Sequence, residues 1–472
     1  MSLTDNPAEA AAAGEVELAA LAAQLPAGAL LTDPDLLAGY RQDWARDPDA
    51  GTPLAVVRAT CTADVQTVLR WASARRVPVV PRGAGSSLSG GSTAVDGGIT
   101  LSTERMREVV VDPVTRVAVA QPGALNVEVK AAAAAHGLWY PPDPSSFEIC
   151  SIGGNAATNA GGLCCVKYGV TTDYVLGMEV VLADGTAVRL GGPRLKDVAG
   201  LSLTKLFVGS EGTLGVITEL TLRLLPAPPV GSTLVATFAS IEAAAKAVVS
   251  CTARVRPSML ELMDNGSINA VEDMISMGLD RDAGALLLAR SDAPAPAAEA
   301  ELELVRESCV ANGADEIYLT SDPDEGEAFA VARRAAFPAM ERRGALLLED
   351  VGVPVPELPT LVRGVREIAT AQDTEIVVVA HAGDGNTHPI IAYPPGDAAA
   401  EARARIAFGE VMDLALSLGG TITGEHGVGR LKAPWLPAQL GPEVMALTRR
   451  IKDALDPLGI LNPGVVLSPT RT

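Results

Sequence analysis

The pattern of apolar and polar positions divides the chain into two halves with different predicted elements. From residue 29 to about 226, short apolar runs alternate with glycine-rich segments. The earliest runs predict a helix from Ala63 to Arg76 and a strand from Val77 to Val80. Further strands are predicted at residues 109–111, 116–120, 177–182 and 215–224.

Residues 225–231 end the first half, because four of the seven are Pro or Gly and interrupt both helix and strand. Beyond them we predict a strand, a helix and a strand, and the same order then repeats. These six elements are predicted at residues 234–238, 241–253, 259–263, 285–289, 297–311 and 316–320. The repeat predicts an α+β domain with an antiparallel or mixed sheet and helices on one face.

Length and composition indicate a soluble enzyme of two domains. A chain of 472 residues exceeds one ordinary core, and 48% hydrophobic with 20% charged residues is a globular composition. The formal net charge is −20, from 57 acidic and 37 basic residues, which repels phosphate backbones and anionic lipid surfaces. We therefore expect no nucleic-acid partner, and an anionic substrate would need a local positive patch.

The cysteines and the N-terminus predict a cytoplasmic protein. None of the six cysteines forms a C-x-x-C pair, so we expect reduced thiols, and any iron–sulfur relay would belong to another chain. The alanine-rich residues 1–28 carry acidic residues but no Lys or Arg, which is the wrong charge for a signal peptide. No uncharged apolar run approaches the ~20 residues that a membrane span needs.

Three glycine-rich segments lie in the first half, at residues 81–91 (PRGAGSSLSGG), 151–162 (SIGGNAATNAGG) and 209–217 (GSEGTLGVI). Glycine permits positive φ angles that turn successive N–H groups toward one anion. The first segment is not a common dinucleotide fingerprint, since Leu88 stands where the third glycine should be. One such segment is a weak signal, but three loops of this kind predict close approach of backbone to a large flat ligand.

Three of the four histidines lie in two glycine-framed clusters, 381–388 (HAGDGNTH) and 423–429 (TGEHGVG). A hairpin of strands 376–380 and 389–393 would bring its two histidines to one edge. Two imidazoles and a carboxylate suffice for a divalent metal, and a further imidazole can accept a proton. The alternative is that these histidines cap loops by hydrogen bonding; three of them beside an acidic residue favour a metal site.

These motifs occur in the order of a known family. The glycine-rich segments and residues 141–146 (PPDPSS) resemble the PCMH-type FAD domain of the vanillyl-alcohol-oxidase superfamily. The histidine clusters and residues 456–464 (DPLGILNPG) resemble its FAD-linked 2-hydroxy-acid branch, with the glycolate oxidase D-type subunit, D-lactate dehydrogenases and D-2-hydroxyglutarate dehydrogenase. The implied fold is α+β, with a two-lobed FAD domain and a cap domain. We divide the chain into an N-terminal tail or helix (1–28), the FAD domain (29–226), the substrate or cap domain (227–425) and a C-terminal segment returning to the FAD domain (426–472).

The resemblance implies which residues hold FAD. The pyrophosphate would lie against residues 82–87, and Asn462 would close over the flavin. The full predicted FAD set is Arg82, Gly83, Ala84, Gly85, Ser86, Ser87, Pro142, Ser145, Gly153, Gly154, Asn155, Gly161, Glu211, Gly212, Ile217 and Asn462. Some superfamily members link FAD through a histidine of the first segment, where this chain has Ser86 and Ser87, so we expect non-covalent FAD. The remaining histidine, His136, is expected to be partly buried in a packing or hydrogen-bonding role.

The resemblance also assigns His381, His388 and Glu425 as metal ligands and His426 as the general base. The substrate hydroxyl must lose a proton as hydride leaves the α-carbon for flavin N5, and a Lewis acid on that oxygen lowers its pKa. The ligand set suits zinc, while iron or manganese accept the same groups. Asp384 and Asn386 would either orient the ligand rings or serve as turn residues.

A 2-hydroxy acid needs a donor for its carboxylate, and Arg333 stands where the family keeps its substrate arginine. We expect Arg334, Arg342 and Arg343 to face solvent, and Lys432 either to supplement the charge or, more commonly for a lysine, to be solvated. The 2-hydroxyglutarate members have an asparagine and a lysine where this chain has Ile390 and Leu348. The absence of this asparagine and lysine favours a small substrate acid such as glycolate or D-lactate, or an acid with an apolar side chain.

We therefore predict a cytoplasmic FAD-dependent enzyme that oxidises a small 2-hydroxy acid to the 2-oxo acid. The electron acceptor is unknown, and an iron–sulfur partner subunit is one candidate. One alternative is an oxidase or carbon–carbon-bond-forming flavoenzyme acting on another alcohol or on an alkylated phosphate. Another is a flavin subunit active only within a larger complex. A flavin-free metallohydrolase is a further alternative, without support from an H-E-x-x-H or G-x-S-x-G motif.

Overall fold

The structure is a computed structural model that describes residues 17–467. Of the predicted N-terminal tail, residues 1–16 lie outside this range, and residues 17–22 form a helix, α1. Leu18 and Leu21 of α1 are buried in the same apolar core as Val65 and Leu69. The first described helix therefore packs on the N-terminal domain.

The N-terminal domain contains two main sheets. Its strands are β1 (Leu30–Leu31), β2 (Ala55–Arg58), β3 (Val79–Arg82), β4 (Ile99–Ser102), β5 (Val109–Asp112), β6 (Val117–Ala120), β7 (Leu138–Trp139), β8 (Val175–Val181), β9 (Ala187–Gly191), β10 (Val216–Arg223) and β11 (Leu225–Pro226). One sheet has the order β1-β2-β4-β3, with β2, β4 and β3 parallel, and the other is antiparallel with the order β5-β6-β10-β8-β9. The first glycine-rich segment therefore leaves the carboxyl end of a parallel strand, where open sheets commonly bind ligands.

The helices of this domain are α2 (Pro34–Ala38), α3 (Thr62–Arg75), α4 (Asn126–Ala134), α5 (Ile152–Thr158), α6 (Cys165–Tyr168) and α7 (Leu203–Phe207). Helix α5 corrects one expectation, because most of the second glycine-rich segment is helical and not a loop. Ser151 caps this helix by accepting a hydrogen bond from the N–H of Gly154. The glycines serve close packing here, since a Cβ atom on Gly153 would lie 2.4 Å from the Cβ of Pro122.

The second domain is built on one antiparallel sheet. Its strands are β12 (Ser232–Phe238), β13 (Met259–Asp264), β14 (Ala285–Ser291), β15 (Ala314–Thr320), β16 (Ala345–Leu348), β17 (Val351–Gly352), β18 (Glu375–His381) and β19 (Asn386–Tyr393). The order is β15-β12-β14-β13-β18-β19-β16, and β17 pairs with β19. The two predicted strand–helix–strand units and the predicted hairpin are all present.

Helices cover both faces of this sheet, so the expectation of helices on one face is wrong. They are α8 (Ile241–Thr252), α9 (Asn265–Ile275), α10 (Ala297–Ala311), α11 (Pro323–Arg334), α12 (Ala336–Glu341), α13 (Leu358–Ala371) and α14 (Ala398–Ser417). Leu262 belongs to the core with α8, α10, α13 and α14, whereas its neighbour Met263 belongs to the core with α9, α11 and α12. Consecutive strand residues point to opposite faces, and both faces are apolar here.

The C-terminal part of the chain returns to the N-terminal domain. Helix α15 (Leu436–Leu455) contributes Ile451 and Leu455 to that domain's core. Leu461 then forms a parallel bridge with Val79 of β3. Within residues 17–467, no helix combines the length and the hydropathy that crossing a bilayer requires.

Candidate active site

A cavity of about 650 Å³ lies between the two domains. Its N-terminal wall is formed by the three glycine-rich segments, and its opposite wall by residues of α11, α12 and β19 with part of the second histidine cluster. The predicted FAD residues on this cavity are Arg82, Gly83, Ala84, Gly85, Ser86, Ser87, Ser145, Gly153, Gly154, Asn155, Glu211, Gly212 and Ile217. The structure thus gathers residues from four distant stretches of sequence around one space.

Three predicted FAD residues lie elsewhere. Asn462 donates its amide N–H groups to the backbone oxygens of Gly91 and Glu211, at 2.8 and 2.7 Å, and so ties the first segment to the third. The backbone oxygen of Pro142 accepts a hydrogen bond from Asn126. Gly161 lies beside Glu425 in a second, separate cavity.

The N-terminal wall fits a long phosphate-bearing cofactor. It is made mainly of backbone and small side chains, and glycines allow its parts to approach one another closely. A Cβ atom on Gly83 would lie 2.2 Å from the Oγ of Ser151. Such a wall presents N–H groups without bulky side chains, as FAD binding requires.

Four side chains of the histidine clusters converge. The Oε1 atom of Glu425 lies 3.2 Å from Nε2 of His381, 3.2 Å from Nε2 of His388 and 3.6 Å from Nε2 of His426. The Oε2 atom of Glu425 is buried and has no hydrogen-bond partner among residues 17–467. Imidazole nitrogens gathered around an incompletely bonded carboxylate fit a divalent metal site.

Two strands and one buried acid orient His381, the first predicted metal ligand. His381 ends β18 and lies opposite Glu261 of β13 in the antiparallel ladder. Both carboxylate oxygens of Glu261 lie 2.9 Å from the Nδ1 atom of His381, and Oε2 also lies 2.9 Å from the Nε atom of Arg333. Glu261 therefore turns the Nε2 atom of His381 toward Glu425 and joins the histidine cluster to the predicted substrate arginine.

Asp350 fixes the second cluster. Its carboxylate accepts backbone N–H groups from residues 424–426, the hydroxyl of Thr423 at 2.6 Å and the amide of Asn386 at 2.8 Å. Candidate ligand atoms of Asp350, His388, Glu425 and His426 all lie within 4.8 Å of one another. The predicted ligand His381 is not in this group and makes a polar contact only with Glu425 within it. Asp350 is the weaker ligand candidate, because its hydrogen bonds already occupy both of its oxygens.

Burial and neighbouring charges set the protonation of this cluster. Burial, only partly opposed by Asp350, lowers the pKa of His426 to about 4, so its ring is neutral near pH 7. Burial also disfavours a charged His381, but Glu261 and Glu425 outweigh it and raise the pKa of His381 well above its ordinary value. Burial would raise the pKa of Glu425, yet His381 and His388 hold it well below its ordinary value. A cation bound here would replace the proton that His381 shares with Glu425.

Arg333 points toward the same cavity. Its side chain is 4% exposed and lines the cavity. In the described part of the chain, neither its Nη2 atom nor its Nε atom, which is ion-paired with Glu261, has a hydrogen-bond partner. Leu348 and Ile390 also line the cavity, and they are paired across β16 and β19. The two apolar side chains thus occupy adjacent positions on the wall that holds His388.

Three further side chains differ from expectation. Lys432 is not solvated: it is 1% exposed, with its Nζ atom 3.6 Å from Asp350 and 3.9 Å from Glu349, because the loop after the second cluster folds inward. Arg334 is half-buried and lines the cavity instead of facing solvent, since its guanidinium lies over the ring of Phe147. His136, expected to be partly buried, is exposed.

Asp384 and Asn386 were expected either to orient the ligand rings or to serve as turn residues, and the structure supports the turn. Asp384 accepts the backbone N–H of Asn386 at 3.1 Å, as in an Asx turn, and Asn386 holds Asp350. The groups that orient the ligands are instead Glu261 and Asp350, which the sequence reasoning missed. A signal existed for Glu261, because apolar residues flank it on both sides within its strand, and a buried acid requires partners.

Comparison with known proteins agrees with this architecture. A family model for the C-terminal domain of FAD linked oxidases matches residues 227–466, and a model for an FAD binding domain matches residues 53–191. Glycolate oxidase subunit GlcD of Bacillus subtilis is 41% identical over 415 residues, which are 87% of this chain and 88% of that protein. D-lactate dehydrogenase of Archaeoglobus fulgidus is 36% identical over 423 residues, which are 89% of this chain and 93% of that protein.

Among solved structures, p-cresol methylhydroxylase with substrate bound superposes with a TM-score of 0.82 at 19% identity, over 97% of each chain. At that identity the likeness concerns the fold alone. The two family matches include the first two glycine-rich segments and both histidine clusters. The predicted resemblance is confirmed: the chain is an FAD-dependent oxidoreductase and belongs to the family of FAD-linked oxidases.

Proposed function

We propose that this chain oxidises a small 2-hydroxy acid to the 2-oxo acid. The observation that carries the proposal is one cavity lined at once by the FAD-domain segments, by Arg333 and by His388, Glu425 and His426. The names of the relatives support the reaction class, since they are a glycolate oxidase subunit and D-lactate dehydrogenases.

Arg333 would bind the substrate carboxylate. Its Nε atom is held by Glu261, and its unpartnered Nη2 atom is buried at the cavity wall. A carboxylate at this edge would complete the hydrogen bonds of a planar guanidinium and fix the orientation of the acid. Arg333 and His381 both contact Glu261. The carboxylate and the hydroxyl of the substrate would therefore be positioned by one connected set of side chains.

His381, His388 and Glu425 would hold a divalent metal, with zinc the first choice and iron or manganese also compatible. When bound, FAD supplies the acceptor for the α-carbon hydride, and the metal supplies a Lewis acid for the hydroxyl oxygen. His426 would accept the hydroxyl proton at Nε2, the ring nitrogen that faces Glu425. Its neutral ring suits a base near pH 7.

The apolar pair Leu348 and Ile390 supports a short or apolar acid, of the glycolate or D-lactate class. A second substrate carboxylate would face these two side chains without a hydrogen-bond donor from either of them, which is unfavourable in a closed site. FAD would be held non-covalently, because Ser86 and Ser87 occupy the stretch where a linking histidine would stand.

The electron acceptor would be a separate protein or small molecule. The name "subunit" carried by the GlcD relatives supports a flavin subunit working within a larger complex, and an iron–sulfur partner is one form of acceptor. A cytoplasmic location remains a prediction from the sequence.

The test is anaerobic bleaching of the bound flavin by a panel of D- and L-2-hydroxy acids. We expect rapid bleaching by glycolate or D-lactate and slow bleaching by 2-hydroxyglutarate. The double variant Leu348→Lys with Ile390→Asn should shift this preference toward 2-hydroxyglutarate. Equal bleaching by acids of one and two carboxylates would contradict the substrate class, and no bleaching by any acid would contradict the reaction.

A further inference from the structure

A second cavity, of about 480 Å³, also reaches the histidine cluster, and the end of the second FAD-domain segment, Gly161 and Gly162, forms part of its lining. It is lined by Gly161, Cys165, Val170, Val353, Pro354, His381, Asp384, Asn386, Thr421 and Glu425, together with glycines at 162, 352, 419, 420 and 424. His388 and His426 line the larger cavity, and His381 lines this one. Glu425 lines both.

The carboxylate of Glu425 forms the partition between the two cavities. Its Oε1 atom faces the imidazoles of His381 and His388, as described above. Its Oε2 atom faces the other way: a Cβ atom on Gly161 would lie 2.7 Å from Oε2 and 3.2 Å from the Sγ of Cys165. This buried, unpartnered oxygen therefore lies at the inner end of the second cavity.

The outer end is open to solvent. Asp384, Pro354, Gly419 and Gly424 are all exposed, and they form its rim. The lining of the cavity offers the carboxylates of Asp384 and Glu425, the thiol of Cys165 and the imidazole of His381. The two carboxylates attract divalent cations and repel anions, and the net charge of −20 acts in the same direction.

FAD and substrate together would occupy the larger cavity, covering the side of the cluster that His388 and His426 line. An ion could then exchange only if another opening reached its ligands. We infer that the second cavity is the path by which the divalent cation enters and leaves its site while FAD stays bound. The inference rests on the proposed function in one respect, the binding of a cation by His381, His388 and Glu425.

The test uses the purified FAD-loaded protein, reconstituted with zinc. Release of zinc to an excess of a coloured chelator gives the exit rate, and elemental analysis gives the bound stoichiometry. Val170 is half-buried on the cavity wall, so Val170→Trp should narrow the passage. We expect one zinc per chain, as in wild type, with release slowed at least about tenfold. The matched control is Val114→Trp, because Val114 is 89% exposed on a distant hairpin.

A second variant keeps the proposal testable if the tryptophan disturbs folding. Asp384→Asn retains the oxygen that accepts the N–H of Asn386 but removes the rim charge. We expect capture of zinc to slow by about two- to tenfold at low salt, with a weaker dependence on ionic strength. Asp373→Asn is the control, since that side chain is 95% exposed.

The outcomes separate this inference from the proposed function. Stoichiometric zinc with wild-type exchange rates in both variants would overturn the path and leave the metal site intact. A wild-type protein that binds no zinc, iron or manganese yet bleaches with substrate would overturn the metal site itself, and the path with it. Slower exchange with unchanged stoichiometry supports the path.

Discussion

The two walls of the larger cavity differ in the kind of residue that forms them. The N-terminal wall consists of backbone and small residues, with glycines such as Gly83 and Gly153 packed against neighbouring chain. The opposite wall holds buried ionisable side chains, Arg333, His388 and Glu425 among them, each at most 9% exposed. The first wall should therefore tolerate the loss of a side chain but not added atoms, whereas the second should not tolerate the loss of a single charge or hydrogen bond.

The largest effect should come from the ionisable wall. We expect His426→Ala to slow flavin reduction by substrate about 10²- to 10⁴-fold, because the hydroxyl proton loses its acceptor. Stopped-flow absorbance of the flavin measures the rate. The bound flavin spectrum should not change. His136→Ala, which alters the exposed fourth histidine, should react like wild type; a His426→Ala rate within a few-fold of wild type would remove His426 from the mechanism.

A near-isosteric change of a residue that contacts this wall, through Arg333, should also be severe. Glu261→Gln keeps the size of the side chain but removes the charge between His381 and Arg333. We expect metal affinity to fall about 10- to 100-fold, because the ligand ring loses the acid that orients it. Competition with a chelator of known affinity measures this. Glu316→Gln, on the exposed part of β15, serves as the control, and equal affinities in all three proteins would exclude the orienting role.

On the N-terminal wall an added methyl group should matter more than a lost hydroxyl. Gly153→Ala would place a Cβ atom 2.8 Å from the backbone oxygen of Pro122, and we expect a loss of about 1–3 kcal/mol in the free energy of unfolding. Ser145→Ala, at an exposed residue of the same wall, should stay within about 0.5 kcal/mol of wild type. Urea unfolding of the FAD-loaded proteins measures both. A larger loss of stability for Ser145→Ala than for Gly153→Ala would show that the side chains of this wall, and not its close backbone packing, determine stability.

The smallest effect concerns pH. Because burial lowers the pKa of His426 to about 4, flavin reduction should vary little across neutral pH and decline only as acid protonates this ring. Stability should decline over part of the same range, since the unfolded chain takes up this proton near pH 6.5 and the folded protein does so only near pH 4. Rates are therefore measured only where the bound flavin spectrum is unchanged. Half-maximal rate near pH 6.5 would mean that the ring is not buried in the working enzyme.

The strands and helices that the sequence predicted are present in both domains, because each of these has a clear local periodicity, although further elements were not predicted. Helix α10 and the hairpin of β18 and β19 are examples. The sequence did not predict that helices pack on both faces of the second sheet. Apolar residues at consecutive strand positions do not reveal which helix will pack on each side. Helix α5 was missed for a similar reason: its glycines disfavour a helix locally, and packing against Pro122 outweighs that preference.

For the site, the sequence indicated the histidines and their acidic neighbour because these residue types cluster along the chain. The orienting acids Glu261 and Asp350 come from strands and turns more than 30 residues away from the groups they hold, so only the folded sheet reveals them. Lys432 was misplaced because a lysine is normally solvated, and its burial beside Glu349 and Asp350 depends on the path of a glycine-rich loop.

The return of the chain to β3 has a consequence for biosynthesis. Asn462 joins the first and third FAD-domain segments, and Leu461 pairs with Val79, yet the entire second sheet is translated between these parts. In a nascent chain, the predicted FAD site therefore remains incomplete until the second domain and the C-terminal segment have left the ribosome. FAD should bind only after both domains have been translated. A fragment that ends before Asp456 should therefore be isolated without bound flavin.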